Sequence, residues 1–169
     1  MALTLAEFNT ASTKQALQWL DGLYEHSPWI VERVLPQRPF QSLAQLKHAL
    51  TQVVSQSGRD AQLGLIRAHP ELAGKAMVSK SLTAESTNEQ GKAGLTDCTP
   101  EEFARIQRLN ADYNARFGFP FIIAVRGLGK SDILAAFRQR IRNDRATEFA
   151  TVCAQVERIA LLRLKEMLP

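Results

Sequence analysis

Hydrophobic residues recur every three or four positions along most of the chain, which is the spacing of a helix with one buried face. Residues that cap helices precede several of these segments. Ser12 has Gln15 three positions later, and Thr99 is followed by Pro100 and then by Glu102, and both patterns are typical of a helix start. The residues predicted to cap three further helices are Ser42, Asp60 and Ser131. The pattern predicts helices over residues 12–25, 29–35, 42–55, 60–68, 83–93, 100–117, 131–143 and 146–167.

Two segments depart from the helical pattern. Residues 71–82 are polar and rich in small residues, which predicts a loop. Residues 121–125 (FIIAV) form a short apolar run between Pro120 and Gly127. Because one strand cannot form a sheet alone, this run is predicted to be a buried extended segment or a helical turn. The predicted fold is therefore all-α, a single helical bundle-like domain of about eight helices that spans residues 1–169.

Composition favours a globular protein from a reducing compartment. The chain has 169 residues, of which 45 % are hydrophobic and 22 % charged, so it is predicted to form one domain rather than a disordered or fibrous chain. Cys98 and Cys153 form no spaced motif. No apolar run approaches the roughly 20 residues that cross a bilayer, and neither end carries a recognisable targeting signal. We therefore expect a cytoplasmic protein without a membrane partner.

Part of the positive charge lies in one segment. The formal net charge is +4, and several arginines lie close together: Arg138, Arg140, Arg142 and Arg145. A nucleic-acid site would combine such a cluster with aromatic residues, whereas here only Phe137 is close, and Asp144 and Glu148 interrupt the run. The arginines are therefore interpreted as a solvated helix face, and no nucleic-acid partner is expected.

Arg163 breaks the pattern of the last predicted helix. It lies four positions after Ile159 and seven after Val156, on the face that is predicted to be buried. Burying an unpaired guanidinium is costly, so Arg163 must meet a carboxylate or an anionic ligand. Two interpretations remain open: the arginine binds an anion, or it has a structural role in which it pairs with an internal glutamate or extends to the surface.

Ser86, Glu89 and Gln90 form a second unusual group. If residues 83–93 are helical, offsets of three and four place all three side chains on one face. That face presents a hydroxyl, a carboxylate and an amide among small residues, which would let a ligand come close. The alternative is an exposed polar helix without a ligand.

His69 is one of three histidines and stands where a helical pattern ends, directly before Pro70. It continues the face of Leu63 and Ile66, so it could turn inward and carry a proton at a pocket. A structural role at a helix end is the alternative. Because no His or Cys lies at ligand spacing, no metal is expected. Together with the previous residues, His69 suits proton transfer on a small, polar, anionic substrate.

Four segments, in this order, resemble the family of 2-oxo-4-hydroxy-4-carboxy-5-ureidoimidazoline (OHCU) decarboxylases: 69-HPELAGKA-76, 86-STNEQGKAGL-95, 117-FGFPFIIAVRG-127 and 156-VERIALLRL-164. The match extends over nearly the whole chain, and the pair of HPELAGK and SxxEQxxAGL is far more specific than a lone HP. The resemblance implies an all-helical enzyme, commonly a homodimer, that needs no cofactor. Its implied activity is the conversion of OHCU to (S)-allantoin, the last step of urate degradation.

The resemblance also implies roles for single residues. His69 corresponds to the catalytic proton donor and Glu89 to its catalytic partner. The residues implied to contact the small-molecule substrate are Pro70, Ser86, Thr87, Asn88, Gln90, Phe121, Ile122, Ile123, Ala124, Val125 and Arg163. Residues 121–125 would do so through backbone amides and carbonyls.

Two other classes of function remain as alternatives. A helical binding module without chemistry predicts that Arg163 pairs internally and that Glu89 is solvated. A hydrolase of ureide rings would use the same side chains with a bound water, and would release no CO2.

Overall fold

The computed structural model describes residues 3–74 and 82–169, and within these ranges all regular secondary structure is helical. The α-helices are α1 (Leu5–Thr10), α2 (Thr13–Trp19), α3 (Trp29–Val34), α4 (Leu43–Gln56), α5 (Arg59–Ala68), α6 (Ala84–Lys92), α7 (Pro100–Phe117), α8 (Lys130–Arg140) and α9 (Arg145–Met167). The short 3-10 helices are Leu35–Gln37 and Leu95–Asp97. The predicted all-α class is confirmed, with nine α-helices in the described ranges where about eight were expected.

Capping residues fix the starts of three helices as predicted, namely Ser12, Ser42 and Thr99. The Ser12 hydroxyl accepts the Gln15 N–H at 3.2 Å, and the Gln15 side chain accepts the Ser12 N–H at 3.3 Å, which closes the capping box of α2. The Thr99 hydroxyl accepts the Glu102 N–H at 3.1 Å in the same way, with Pro100 at the first position of α7. Without the cap these N–H groups would lack a partner, and losing such a cap costs about 1 kcal/mol.

Several predicted helix boundaries are wrong. Helix α2 ends at Trp19 rather than at 25: its C-cap Leu20 already leaves helical geometry with a ψ of 17°, and Gly22, with a φ of +81°, then prevents the helix from resuming. Helix α5 begins one residue before Asp60, which therefore lies in its first turn. The N-cap of α8 is Gly129, so Ser131 lies inside the helix. Most of the loop predicted over 71–82 falls on 75–81, outside the described residues.

One compact unit of the described chain contains residues 3–68 and 157–169, that is, α1 to α5 and the last part of α9. Its core is mainly aliphatic. Helix α4 contributes Leu46 and Leu50, which are fully buried. Other buried core residues of this unit are Phe8, Ala16, Leu20, Leu23, Ile30, Val34 and Leu164.

The other unit, His69–Val156, contains α6 to α8 and the first part of α9. Aromatic rings form much of its core: the ring centroids of Tyr113 and Phe121 are 5.2 Å apart, and those of Phe121 and Phe137 are 3.7 Å apart. Such ring pairs add about 0.5–1.5 kcal/mol beyond the burial of their area. Because Phe121 belongs to this cluster, residues 121–125 are drawn into the core of the unit.

Helices α7 and α9 are the longest in the described ranges, with 18 and 23 residues. Charged and polar residues recur along both. Over the part of the chain that the structure describes, no helix combines the length and the apolar character that crossing a membrane requires.

Candidate active site

His69 lies directly after the end of α5. The helix stops at Ala68, because a residue that precedes a proline, here Pro70, disfavours helical geometry. Only 8 % of the His69 surface is exposed, and Pro70 is half-buried. The other two histidines, His26 and His48, are exposed. His69 is thus the histidine that is removed from solvent, as its position on the Leu63 and Ile66 face indicated.

The polar helix predicted near 83–93 is α6, and it turns its functional groups inward. Ser86 is 4 % exposed and Gln90 is 2 % exposed, while Glu89 is half-buried. The offsets of three and four therefore place these side chains as the spacing predicted. Thr87 and Asn88 are exposed, and their contact with a substrate stays a prediction.

Two amide side chains hold the segment that follows His69. The Ala73 N–H donates to Gln90 Oε1 at 2.9 Å, and Asn110 Nδ2 donates to the Leu72 carbonyl at 2.8 Å. Ala73 needs such support, because its φ of +49° lies in the left-handed region that residues other than glycine rarely adopt. Gln90 thus holds the backbone of this segment with its amide oxygen. The motif residues outside the described ranges are Lys75 and Ala76.

Side chains, rather than a helix or a sheet, anchor the segment Phe121–Val125. Arg140 Nη1 donates to the Ile122 carbonyl at 2.7 Å, and the Ala124 N–H donates to Gln155 Oε1 at 2.9 Å. The segment forms no helical turn, and four of its five residues are buried. The predicted burial of this run is therefore confirmed, and of the two predicted alternatives, an extended segment and a helical turn, the helical turn is wrong.

Arg140 corrects the interpretation of the arginine-rich segment as a solvated face. Its Nε atom lies 2.6 Å from Oε1 of Glu148, and the side chains of the two residues are 10 % and 0 % exposed. Its guanidinium carbon lies 4.3 Å from the centroid of the Phe121 ring. Arg140, at which α8 ends rather than at 143, thus belongs to the core of the unit. The arginines of this segment that are exposed, as predicted, are Arg138, Arg142 and Arg145.

Arg163 is buried, with 2 % of its surface exposed, as the helix face predicted. Its Nη2 atom lies 3.1 Å from Oε1 of Glu25, and its Nη1 atom donates to the Gly22 carbonyl at 2.9 Å. Of the two environments that the sequence allowed, a carboxylate is therefore present. A binding module without chemistry would also pair Arg163 internally, so the contact of Arg163 with a substrate stays a prediction.

No group of three or more His, Cys, Asp and Glu side chains within residues 3–74 and 82–169 is arranged to hold a metal ion. Neither Cys98 nor Cys153 forms a disulfide. The candidate site of the unit His69–Val156 consists of His69, Ser86, Glu89, Gln90 and the segment Phe121–Val125.

The sequence did not predict four side chains that support this site: Asn110, Arg140, Glu148 and Gln155. For two of them, Asn110 and Glu148, helical spacing predicts a buried position. Asn110 lies four positions after the buried Ile106, and Glu148 lies four positions before the buried Val152, so each belongs to a buried face. Gln155 is only half-buried, and its contact with the Ala124 backbone has no signal in the spacing.

The fold and the buried polar residues define a class, the small all-α proteins that bury imidazole, hydroxyl and amide side chains. Comparison with known proteins narrows this class. A family model described as OHCU decarboxylase matches residues 9–165. A 2-oxo-4-hydroxy-4-carboxy-5-ureidoimidazoline decarboxylase from Haloferax volcanii is 38 % identical over 164 residues, which are 97 % of this chain and 95 % of the relative. The chain belongs to the OHCU decarboxylase family, whose members are carboxy-lyases.

Three further matches include two proteins that are much longer than this chain. The uric acid degradation bifunctional protein PucL of Bacillus subtilis is also 38 % identical, over 98 % of this chain but 33 % of the relative, so the chain spans about a third of it. The crystal structure of an (S)-allantoin synthase superposes with a TM-score of 0.80 at 28 % identity, over 99 % of this chain and 54 % of that one. An OHCU decarboxylase crystallised in the presence of (S)-allantoin, at 16 % identity and a TM-score of 0.66 over 88 % of this chain and 94 % of that one, shares the fold.

Proposed function

We propose that this chain catalyses the decarboxylation of OHCU to (S)-allantoin in the degradation of urate. The observation that carries the proposal is the match to the family over residues 9–165. Its support in the site is the buried His69 together with Ser86, Glu89 and Gln90 of α6, because these side chains belong to the two motifs that are typical of the family.

The substrate supplies its own acceptor for the electrons. In OHCU, one ring carbon carries a hydroxyl and a carboxylate, and its neighbour is an imine carbon that bears the ureido group. When CO2 leaves, the electrons of the broken bond form a double bond between these carbons, and the imine electrons move to nitrogen, which takes up a proton. The enol then gains a proton on the ureido-bearing carbon and loses its hydroxyl proton. One proton is gained for each CO2 lost, and the proposal includes no cofactor.

We assign His69 to general acid–base catalysis at the substrate hydroxyl. Glu89 is assigned to orient the His69 imidazole through a hydrogen bond. Burial of His69 favours this role, since a site shielded from water leaves the substrate carboxylate poorly solvated. The protein must also orient the breaking C–C bond perpendicular to the ring and direct the final proton to one face of the intermediate. Delivery of the final proton to only one face of the intermediate accounts for the S configuration of the product.

The remaining residues are assigned to binding. The –NH2 group of Gln90, the hydroxyl of Ser86 and the backbone of Phe121–Val125 would hydrogen-bond the ring and the ureido group. Arg163 would bind an anionic or carbonyl oxygen of the substrate. The further proposed contacts are Pro70, Thr87 and Asn88.

The assembly and the location are part of the same proposal. We infer that residues 1–169 work as one decarboxylase domain, which the continuous family match over 9–165 supports. The resemblance to the family supports a homodimer in the cytoplasm, and the scarcity of aromatic residues near the arginines of 138–145 argues against a nucleic-acid partner.

The proposal is tested by following the circular dichroism of allantoin formed from freshly generated OHCU. Wild type and His69→Ala are measured in parallel, with far-ultraviolet spectra to confirm equal helix content. OHCU that decays without an enzyme gives racemic allantoin and no signal. We expect a rapidly growing (S)-allantoin signal with wild type and none above the uncatalysed background with His69→Ala.

Different outcomes separate the alternatives. Racemic product at the uncatalysed rate with wild type would overturn the proposed function. Loss of substrate without release of CO2 would indicate a hydrolase of ureide rings, and binding without turnover would indicate a binding module. Full activity of His69→Ala would show that His69 is not catalytic, but it would not contradict the proposed decarboxylase activity.

A further inference from the structure

The segment Phe121–Val125 lacks the internal hydrogen bonds of a helix or a sheet, so other elements must fix its peptide groups. Arg140 at the end of α8 donates to the Ile122 carbonyl at 2.7 Å. Gln155 on α9 accepts the Ala124 N–H at 2.9 Å. Two helices thus hold the segment at two of its residues.

Ile123 lies between the two held residues and differs from the rest of the segment. It is half-buried, whereas its four neighbours in the segment are buried. Its N–H and C=O make no hydrogen bond within the described residues. Backbone groups that are partly removed from water strongly favour a partner. A donor and an acceptor on one residue match a ureido group, which presents both N–H and C=O.

We propose that Gln155 and Arg140 are positioning residues that fix the peptide groups of Ile123 for the ureido group of the substrate. The inference rests on the proposed function, because that function supplies a ureido substrate. Neither side chain needs to touch the substrate: each acts through the backbone residue next to Ile123.

Arg140 is itself held firmly. Glu148, whose side chain is 0 % exposed, accepts from its Nε atom at 2.6 Å, and the Phe121 ring packs against its guanidinium. Gln155, in contrast, is half-buried, and its side chain accepts the Ala124 N–H. Substitutions of Arg140 would therefore disturb the core, while substitutions of Gln155 test the positioning itself.

The experiment compares Gln155→Met with Gln155→Glu. Methionine has a similar length but lacks a strong acceptor, whereas a carboxylate oxygen can still accept the Ala124 N–H. Gln139→Met is the matched control, because Gln139 is exposed on α8. For each variant, kcat and KM for OHCU, the Kd for (S)-allantoin by calorimetry, and the melting temperature are measured.

We expect Gln155→Met to raise KM about fivefold, which corresponds to the net loss of one hydrogen bond. Its kcat should stay within about twofold of wild type, because an interaction that holds substrate and transition state equally affects KM alone. The Kd for (S)-allantoin should weaken by a similar factor. Gln155→Glu and Gln139→Met should both match wild type.

A wild-type KM and Kd in Gln155→Met would overturn the inference, even if the variant melted earlier, since a purely structural role changes stability alone. Equal defects in Gln155→Met and Gln155→Glu would also overturn it. If wild type neither turns over OHCU nor binds allantoin, the proposed function itself fails and the inference fails with it.

Discussion

The Arg163 guanidinium and the Glu25 carboxylate form a buried ion pair, with 3.1 Å between Nη2 and Oε1 and side-chain exposures of 3 % and 0 %. The other carboxylate oxygen, Oε2, lies 3.7 Å from Nε2 of the exposed His26. The pair explains how an arginine can lie on the apolar face of α9, because the carboxylate compensates the buried positive charge. It also means that a proposed substrate contact of Arg163 would be made by a guanidinium whose position Glu25 fixes.

Removing only the arginine should destabilise the protein. Breaking a buried ion pair on one side costs about 3–5 kcal/mol, whereas replacing both partners with apolar side chains is often nearly neutral. Arg163→Met should therefore lower the free energy of unfolding by about that amount in urea titrations. The double variant with Glu25→Leu should recover most of the loss.

The stable double variant then separates structure from function. If Arg163 contacts OHCU, the double variant stays folded but loses (S)-allantoin formation. Wild-type turnover in the double variant would show that Arg163 is purely structural and does not contact the substrate.

Much of the fold could be predicted because it follows from local physics. Caps such as Ser12 and Thr99 act within three residues, and buried faces repeat with the helical period. The same period placed Arg163 in the core, and it would have placed Glu148 there as well. The interpretation of Asp144 and Glu148 as interruptions of a charged run instead predicts a solvated face for Arg140, which is wrong.

The pairing of the buried groups could not be predicted. Gln155 and Ala124 are 31 positions apart, and Asn110 and Leu72 are 38 apart. No local pattern encodes such contacts, since they depend on how helices pack. The sequence therefore identified the segment Phe121–Val125 as buried but not what anchors it.

Arg140→Lys should destabilise the protein strongly. The planar guanidinium reaches both the Glu148 carboxylate and the Ile122 carbonyl, and the single ammonium group of lysine cannot reproduce that geometry. We expect a loss of about 2 kcal/mol in the free energy of unfolding, as for hydrogen bonds to charged groups. Arg138→Lys on the same helix is exposed and should change little. Equal stabilities of the two variants would contradict a structural role for Arg140.

Two buried tyrosines should respond differently to the loss of their hydroxyl groups. The Tyr24 hydroxyl donates to the Glu157 carboxylate, 3.0 Å from Oε2, and Lys47 contacts the same oxygen. The Tyr113 hydroxyl lies beside the buried Arg140 and Glu148, which pair with each other, and it makes no hydrogen bond of ordinary geometry among the described residues. Tyr24→Phe should therefore cost about 1.5–3 kcal/mol, while Tyr113→Phe should be nearly neutral or slightly stabilising, because no bond is lost. A larger loss in Tyr113→Phe, measured by urea unfolding, would contradict this.

The same tyrosines should weaken the fold at alkaline pH. Burial raises the pKa of Tyr24 well above its usual value, and the negative Glu157 raises it further. Burial likewise raises the pKa of Tyr113. Below about pH 10 both groups are protonated in the folded and the unfolded chain, so they add no pH dependence. Above that pH the unfolded chain loses these protons while the folded chain keeps them, so unfolding releases protons and stability falls.

Each tyrosine contributes at most about 1.4 kcal/mol per pH unit to this fall. The free energy of unfolding should therefore decrease less steeply between pH 10 and 11 in Tyr24→Phe than in wild type, and least steeply when Tyr113→Phe is added. Other groups that titrate in this range, chiefly lysines, are the same in every variant and cancel in the comparison. Parallel curves for wild type and the double variant would mean that both phenols ionise as readily in the folded protein as in the unfolded chain, which their burial argues against.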